Sequence, residues 1–341
     1  MELSTPTAKG TRTQIDVYGL RASISGDWPE LIDEVRRDFA WFETLPGPTA
    51  DLEITIERRP PDLGAFGEVP ASFVTPRNVV YQLGARTIVD YFGRAVSVLD
   101  RGRGHLLVQG EDNHLVHEAT YLFLLSRVGE HLDACRLPRL HALGLAGADG
   151  GVALILPSGG GKSTMALRAL RSDGVQLISE DSPLLDCRGR IHPFPLRIGV
   201  NESDAEQLSG QQVRRIERME LHPKLLLDLD VFGHSIDPQP RPLRHLVIGT
   251  RTLGLDAKLE SARRSSAVGP LLREAVIGVG LYQGMEFVLQ RGMRDVLGKA
   301  GVAMSRSLCC AAALGRARVW KLTLGRDHDR NWSAMEPLLR G

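Results

Sequence analysis

The pattern of apolar and polar positions changes character once along the chain, near Pro138. Ahead of that point, short alternating runs predict strands over residues 14–25, 52–56, 80–83, 87–91, 95–99 and 106–109. Gly84, Gly93 and the run Arg101-Gly102-Arg103-Gly104 separate the last four, which is the spacing of an antiparallel meander. Two segments have helical period instead. Residues 28–41 place Leu31, Ile32, Val35 and Phe39 on one face, behind Asp27 as a candidate cap. Residues 113–132 carry the stripe Leu115, Ala119, Leu122, Leu125, Val128 and Leu132. Residues 1–135 therefore read as an N-terminal α+β domain. Its meander leaves strand edges that suit an extended peptide added as a further strand.

Behind Pro138 strands and helices alternate. A strand is predicted at 140–145, a turn at Asp149-Gly150-Gly151, and an entirely apolar strand at 152–156. A glycine-rich loop follows, then a helix over 162–170, a break at Asp173-Gly174 and a strand over 175–179. This order is one βαβ unit and places residues 136–341 in the α/β class. Pro193 and Pro195 open a looser stretch. Strands recur within 219–227, 243–250 and 319–324, helical patterns fill 268–313, and Asn331 is a candidate cap for a short last helix.

The loop reads Leu156-Pro157-Ser158-Gly159-Gly160-Gly161-Lys162-Ser163-Thr164. It ends as a phosphate loop does, after a buried strand and at a helix start, although Leu156 stands where the usual pattern has its first glycine. The chemistry explains the residue types. Glycines let backbone N–H groups converge on phosphate oxygens, and the helix start adds positive potential. A lysine reaches the outer phosphates, and a hydroxyl holds magnesium. Ser158, Gly159, Gly160, Gly161, Lys162, Ser163 and Thr164 are thus the expected ATP-binding residues. Glu180 and Asp181 directly follow the next strand. There a carboxylate can face the metal and its neighbour can face a substrate hydroxyl.

Composition narrows the partners. With 42 basic and 41 acidic residues the net charge is +1, so no general pull toward nucleic acid or an anionic membrane is expected. Arg214-Arg215 and Arg263-Arg264 are short enough to be solvated faces. Residues 1–12 are polar and no run of about 18 apolar residues occurs, so neither a signal peptide nor a membrane span is expected. The four cysteines, Cys135, Cys187, Cys309 and Cys310, have no metal-ligand spacing and read as packing in a reduced, cytoplasmic protein.

Taken together, Leu140-His141, Gly151 to Ile155, Ser158 to Ser163 and Leu177 to Asp181 resemble the catalytic domain of HPr kinase/phosphorylase and its relatives. The close match covers residues 140 to 185. The resemblance implies a P-loop kinase domain of the HPr kinase C-terminal type, using ATP and Mg2+, with assembly into homo-oligomers possible. It implies Asp181 as catalytic aspartate, Lys162 as phosphate lysine, Ser163 as magnesium ligand, and His141 as a residue that contacts phosphate or tunes the aspartate. It also implies a downstream arginine, for which Arg244 is taken, with Arg241 and Lys224 as further candidates. The run Phe194 to Gly199 stands where the family has a second metal-binding glutamate. Arg197 matches an arginine there, and Pro195 replaces the glutamate. That leaves Glu180 for the metal, with Glu202 more distant. These departures point to the related branch that includes kinases of lasso-peptide precursors. The expected activity is transfer of the γ-phosphoryl group to a serine-type hydroxyl of a peptide or small protein. A kinase for a small molecule such as free serine, and a non-catalytic nucleotide-binding module, are the alternatives.

Overall fold

The computed structural model describes residues 11–157, 159–200, 213–216, 224–278 and 293–341. They form a mixed α/β structure in two compact units. Among the described residues, one unit holds 11–128 with 213–228, and the other holds 129–200, 229–278 and 293–341. The division falls inside the helix Asn113–Ala134, and residues 213–228 go with the earlier unit.

In the first unit, the segment expected as one strand at 14–25 is a hairpin, Arg12–Val17 against Leu20–Gly26. Its two turn residues, Tyr18 and Gly19, take φ of 54° and 95°, the left-handed pair that suits a two-residue hairpin turn. The Asp16 carboxylate accepts the Gly19 N–H at 2.8 Å. The helix that follows spans Pro29–Asp38, shorter than expected, and buries Leu31, Ile32 and Val35 against this hairpin. Asp27 does not cap it. Its carboxylate instead accepts the N–H of Arg58 on the strand Leu52–Arg58. That strand runs parallel to both Leu20–Gly26 and His105–Gly110. The meander His105–Gly110, Ala95–Asp100, Arg86–Asp90, Val79–Leu83 continues the sheet antiparallel, as the alternation predicts. Two short strands not expected from the sequence, Glu43–Thr44 and Ala71–Val74, close the edges of this nine-stranded sheet.

Arg214, read from the sequence as part of a solvated face, is one of the more enclosed cations of this unit. It donates to Asp228 from Nε at 2.8 Å and Nη2 at 2.6 Å, and to Asp38 from Nη2 at 2.7 Å. Asp38 also meets His117 Nε2 at 2.9 Å. The strands Val213–Ile216 and Lys224–Leu227 that flank this cluster pair antiparallel.

The second unit is built on an eight-stranded mixed sheet. The strand that leads into the glycine loop spans Gly150–Ile155. It pairs antiparallel with Leu143–Gly147 on one side and parallel with the long strand Arg241–Arg251 on the other. The strand Gln176–Ser179 does not neighbour the loop strand, as a simple βαβ unit would have it. It pairs with the far side of Leu143–Gly147, also antiparallel. Two antiparallel steps restore direction, so Gln176–Ser179 and Gly150–Ile155 still end at the same edge. Beyond Arg241–Arg251 lie Arg318–Leu324, parallel, and Lys258–Ser261, antiparallel. The helix Met293–Arg316 contributes Cys309, Cys310 and Ala313 to a core shared with Ala153, Ile155, Leu246 and Leu271. The helix His328–Met335 is capped by Asp327, which accepts the N–H groups of Asp329 and Arg330. Asn331 lies inside the helix His328–Met335, with its amide bridging the N–H and C=O of Gly325.

The cysteines are free thiols. Cys309 and Cys310 are buried, and burial raises the Cys310 thiol to about 11. Cys187 and Cys309, distant in sequence, bring their sulfurs to 2.7 Å. Among the described residues no helix is long and apolar enough to cross a membrane.

Asp186 staples the turn ahead of Arg190–His192. It accepts the N–H groups of Arg188 and Arg190, and is reached by Arg190 Nε and His192 Nε2. Burial works against its charge, but these donors outweigh it and hold the carboxyl at about 2, below the usual 3.8. A depressed carboxyl pKa stabilises the fold above its unfolded value and loses that contribution as pH falls through the folded value. Asp186→Asn is therefore expected to cost about 1–2 kcal/mol at pH 7. In urea titrations the gap to wild type should narrow between pH 4 and 2. A gap that stays constant across that range would contradict the assignment.

Candidate functional site

The loop after Ile155 is shaped by three glycines with different tasks. Gly159 and Gly161 take φ of 72° and 105°, which side chains with a Cβ rarely adopt. At Gly160 a Cβ would stand 2.7 Å from the Pro157 carbonyl oxygen. Leu156, in the place of the usual first glycine, is fully buried. Its side chain lies over Gly249 of the neighbouring strand, where a Cβ would meet Leu156 Cδ2 at 2.3 Å. The leucine thus takes space that a second glycine leaves open. Ser158 and Glu202 fall outside the described residues.

The helix Lys162–Leu170 starts on Gly161, as expected. Lys162 is only 6% exposed, and a lysine is seldom so enclosed unless paired. Its ammonium donates to the Leu156 carbonyl at 3.1 Å and to His141 Nε2 at 2.9 Å, and stands 3.5 Å from Asp181 Oδ1. His141 is not inside a strand. It lies two residues ahead of Leu143–Gly147, whose antiparallel direction brings its beginning to the edge where the flanking strands end. There His141 Nε2 lies 3.2 Å from Asp181 Oδ1. Asp181 follows Gln176–Ser179, and its carboxylate is 46% exposed, open to a reactant. Burial disfavours the His141 imidazolium and Lys162 opposes it, yet the Asp181 and Glu274 carboxylates raise its pKa above 6.5.

The adjacent carboxylate, Glu180, accepts a hydrogen bond from Ser163 Oγ at 2.5 Å. Successive residues thus serve two partners, Asp181 turned to Lys162 and His141, and Glu180 turned to the helix start. Thr164 is half-buried on the first turn of that helix.

Arg244 is not at this edge. It lies on Arg241–Arg251 beside Gly151 and Val152, at the start of the loop strand rather than its end. Its guanidinium donates to the Asp149 carbonyl at 3.3 Å. Arg241 is the first residue of that strand, at the opposite end, and pairs with Asp237. Lys224 lies on a strand of the first unit. The cation that the strand does bring to the loop is Arg251, at its far end. Arg251 Nη1 donates to the Gly160 carbonyl at 3.3 Å and Nη2 to that of Gly325 at 3.1 Å. Sequence reasoning missed it because only strand direction separates Arg244 from Arg251. The second residue missed is Glu274, a buried carboxylate whose Oε2 lies 2.8 Å from His141 Nδ1. Nothing in the local sequence pairs residues that far apart.

A hard cation with bound phosphate fits the donors here. Magnesium keeps several waters and takes one or two carboxylates together with phosphate oxygens. Ser163 Oγ and Glu180 offer that set. Among the described residues no group of three or more His, Cys, Asp or Glu forms a metal cage without a ligand. Compared with known proteins, the chain matches no family model, and a search of curated proteins finds no match.

Proposed function

We propose that the chain is an ATP- and magnesium-dependent kinase of P-loop type, transferring the γ-phosphoryl group to a serine-type hydroxyl of a peptide or small protein. The observation that carries this reading is the convergence of Lys162, His141 and Asp181 within 3.5 Å of one another, beside a glycine loop at a helix start. Backbone N–H groups of the loop and the Lys162 ammonium meet the β and γ phosphates, and Arg251 approaches the same loop from the neighbouring strand. Ser163 and Glu180 hold magnesium, which supplies charge neutralisation on the phosphates. Asp181 Oδ accepts the proton of the acceptor hydroxyl as its oxygen bonds to the γ phosphorus. The bond from that phosphorus to the β–γ bridging oxygen breaks, and ADP leaves with the electron pair. Cytoplasmic location and homo-oligomer formation belong to the same proposal.

Calorimetric titration with MgATP tests the loop. The wild-type chain is expected to bind, and Lys162→Ala to bind on the order of 10–100-fold more weakly, as loss of hydrogen bonds to a charged group predicts. Unchanged affinity in that variant would reject the site. Transfer from γ-labelled ATP, offered separately to serine-containing peptides and to free hydroxy metabolites, tests the acceptor. Label on metabolites alone would replace the peptide substrate with a small one. Tight binding with no transfer to either would leave a nucleotide-binding module and remove the kinase.

A further inference from the structure

The buried face of the site holds a carboxylate to which the proposed reaction assigns no task. Glu274 lies in a six-residue turn of π-helix, Leu272–Ile277, the kind of local widening that often re-aims a side chain at a functional site. It is 3% exposed and sits between the core residues Leu271 and Ala275. Burying a carboxylate there costs several kcal/mol unless it is paired and hydrogen-bonded. Its pairing is specific. Oε2 meets His141 Nδ1 at 2.8 Å, and Oε1 accepts from Arg273 Nε at 2.6 Å. The backbone is tied as well, with the His141 N–H donating to the Glu274 carbonyl at 3.1 Å.

These contacts determine where the imidazole proton sits. Nδ1 faces the Glu274 carboxylate, which as an ion only accepts, while Nε2 faces the Lys162 ammonium at 2.9 Å and, farther off, Asp181 Oδ1 at 3.2 Å, so in the neutral ring the nearer donor takes the Nε2 lone pair. The proton then resides on Nδ1 and is donated to Glu274. We propose that Glu274 is a positioning residue for phosphoryl transfer: it locks His141 in the Nδ1–H tautomer and turns the Nε2 lone pair toward Lys162 and the edge where Asp181 works. This rests on the kinase reading for its consequence in turnover, though the tautomer itself does not depend on that reading. A carboxylate is required because it must accept on both oxygens. In Glu274→Gln, Arg273 claims the amide oxygen, so the NH2 faces Nδ1 and drives the proton to Nε2. Two donors, Nε2–H and the Lys162 ammonium, then point at each other.

The test has two readouts. Imidazole 15N shifts of uniformly labelled protein, with the His141 signals identified by their loss in His141→Gln, report the tautomer. At alkaline pH, where the ring is neutral, the expected result is Nδ1–H in the wild-type chain and Nε2–H in Glu274→Gln. An Nε2–H tautomer in the wild type, or no change in the variant, overturns the proposal whether or not the chain proves to be a kinase. For turnover, Glu274→Gln should lower kcat roughly 10–100-fold, the usual cost of losing a carboxylate that orients a functional histidine, with MgATP affinity within about threefold. In a His141→Ala background the same substitution should leave kcat unchanged. An equal fall in both backgrounds would make Glu274 merely structural. Absence of any transfer in the wild type would instead strike the kinase reading and leave the tautomer result to decide the role of Glu274.

Discussion

Asp181→Asn is expected to lower phosphoryl transfer roughly 10³-fold, within the range that a positioned general base contributes, while MgATP affinity changes by no more than about threefold. The geometry separates the two effects. Asp181 is half-exposed at the edge of the site, whereas the groups proposed to face phosphate are the loop amides and the buried Lys162. Removing the carboxylate charge leaves Lys162 held by His141 Nε2 and the Leu156 carbonyl, so the loop keeps its lysine in place. Asn is close in size and still fills the position beside His141. What it lacks is a basic oxygen to take the hydroxyl proton. Single-turnover transfer from labelled ATP and calorimetry on the same preparation measure the two quantities. Transfer at the wild-type rate would remove Asp181 as the base. A parallel fall in affinity and rate would assign it to nucleotide binding instead.

Arg214→Leu is expected to destabilise the first unit by about 3–5 kcal/mol, the cost of leaving buried charge unpaired. Arg214 is the group shared by Asp38 and Asp228, whose side chains are 0% and 2% exposed. Without it Asp38 retains His117, and Asp228 retains Arg37 at 3.5 Å, a longer contact that lacks the two-point geometry. Denaturant titration followed by tryptophan emission should show the lower midpoint at pH 7. Replacing all three of Arg214, Asp38 and Asp228 with apolar residues is expected to recover part of the loss, because a removed carboxylate needs no partner. A single variant as stable as the wild type would show that the cluster is not energetically enclosed.

Local chemistry carried much of what was legible in the sequence. The strand Gly150–Ile155, the glycine loop and the helix starting at Lys162 follow from neighbouring residues: a continuous apolar run, then three glycines, then helix formers. The meander at 79–110 follows from period-2 alternation broken at glycines. Alternation alone did not separate the strands Arg12–Val17 and Leu20–Gly26, because only one residue of the turn between them is a glycine, and Tyr18 accepts the other left-handed position.

By itself, then, the sequence determined the glycine loop ahead of a helix, the acidic pair behind the next strand and the α/β class, since each depends on side chains adjacent in the chain. Only the tertiary structure decided which distant residues meet them. The antiparallel pairing of Leu143–Gly147 delivers His141 to the loop edge, the parallel direction of Arg241–Arg251 delivers Arg251 there and takes Arg244 away, and a π-helical turn more than a hundred residues downstream supplies Glu274. The physical reason is that strand direction and pairing order are set by burial of whole sheet faces. No short stretch of sequence contains that information, and a single reversal of direction moves a side chain to the opposite end of the sheet.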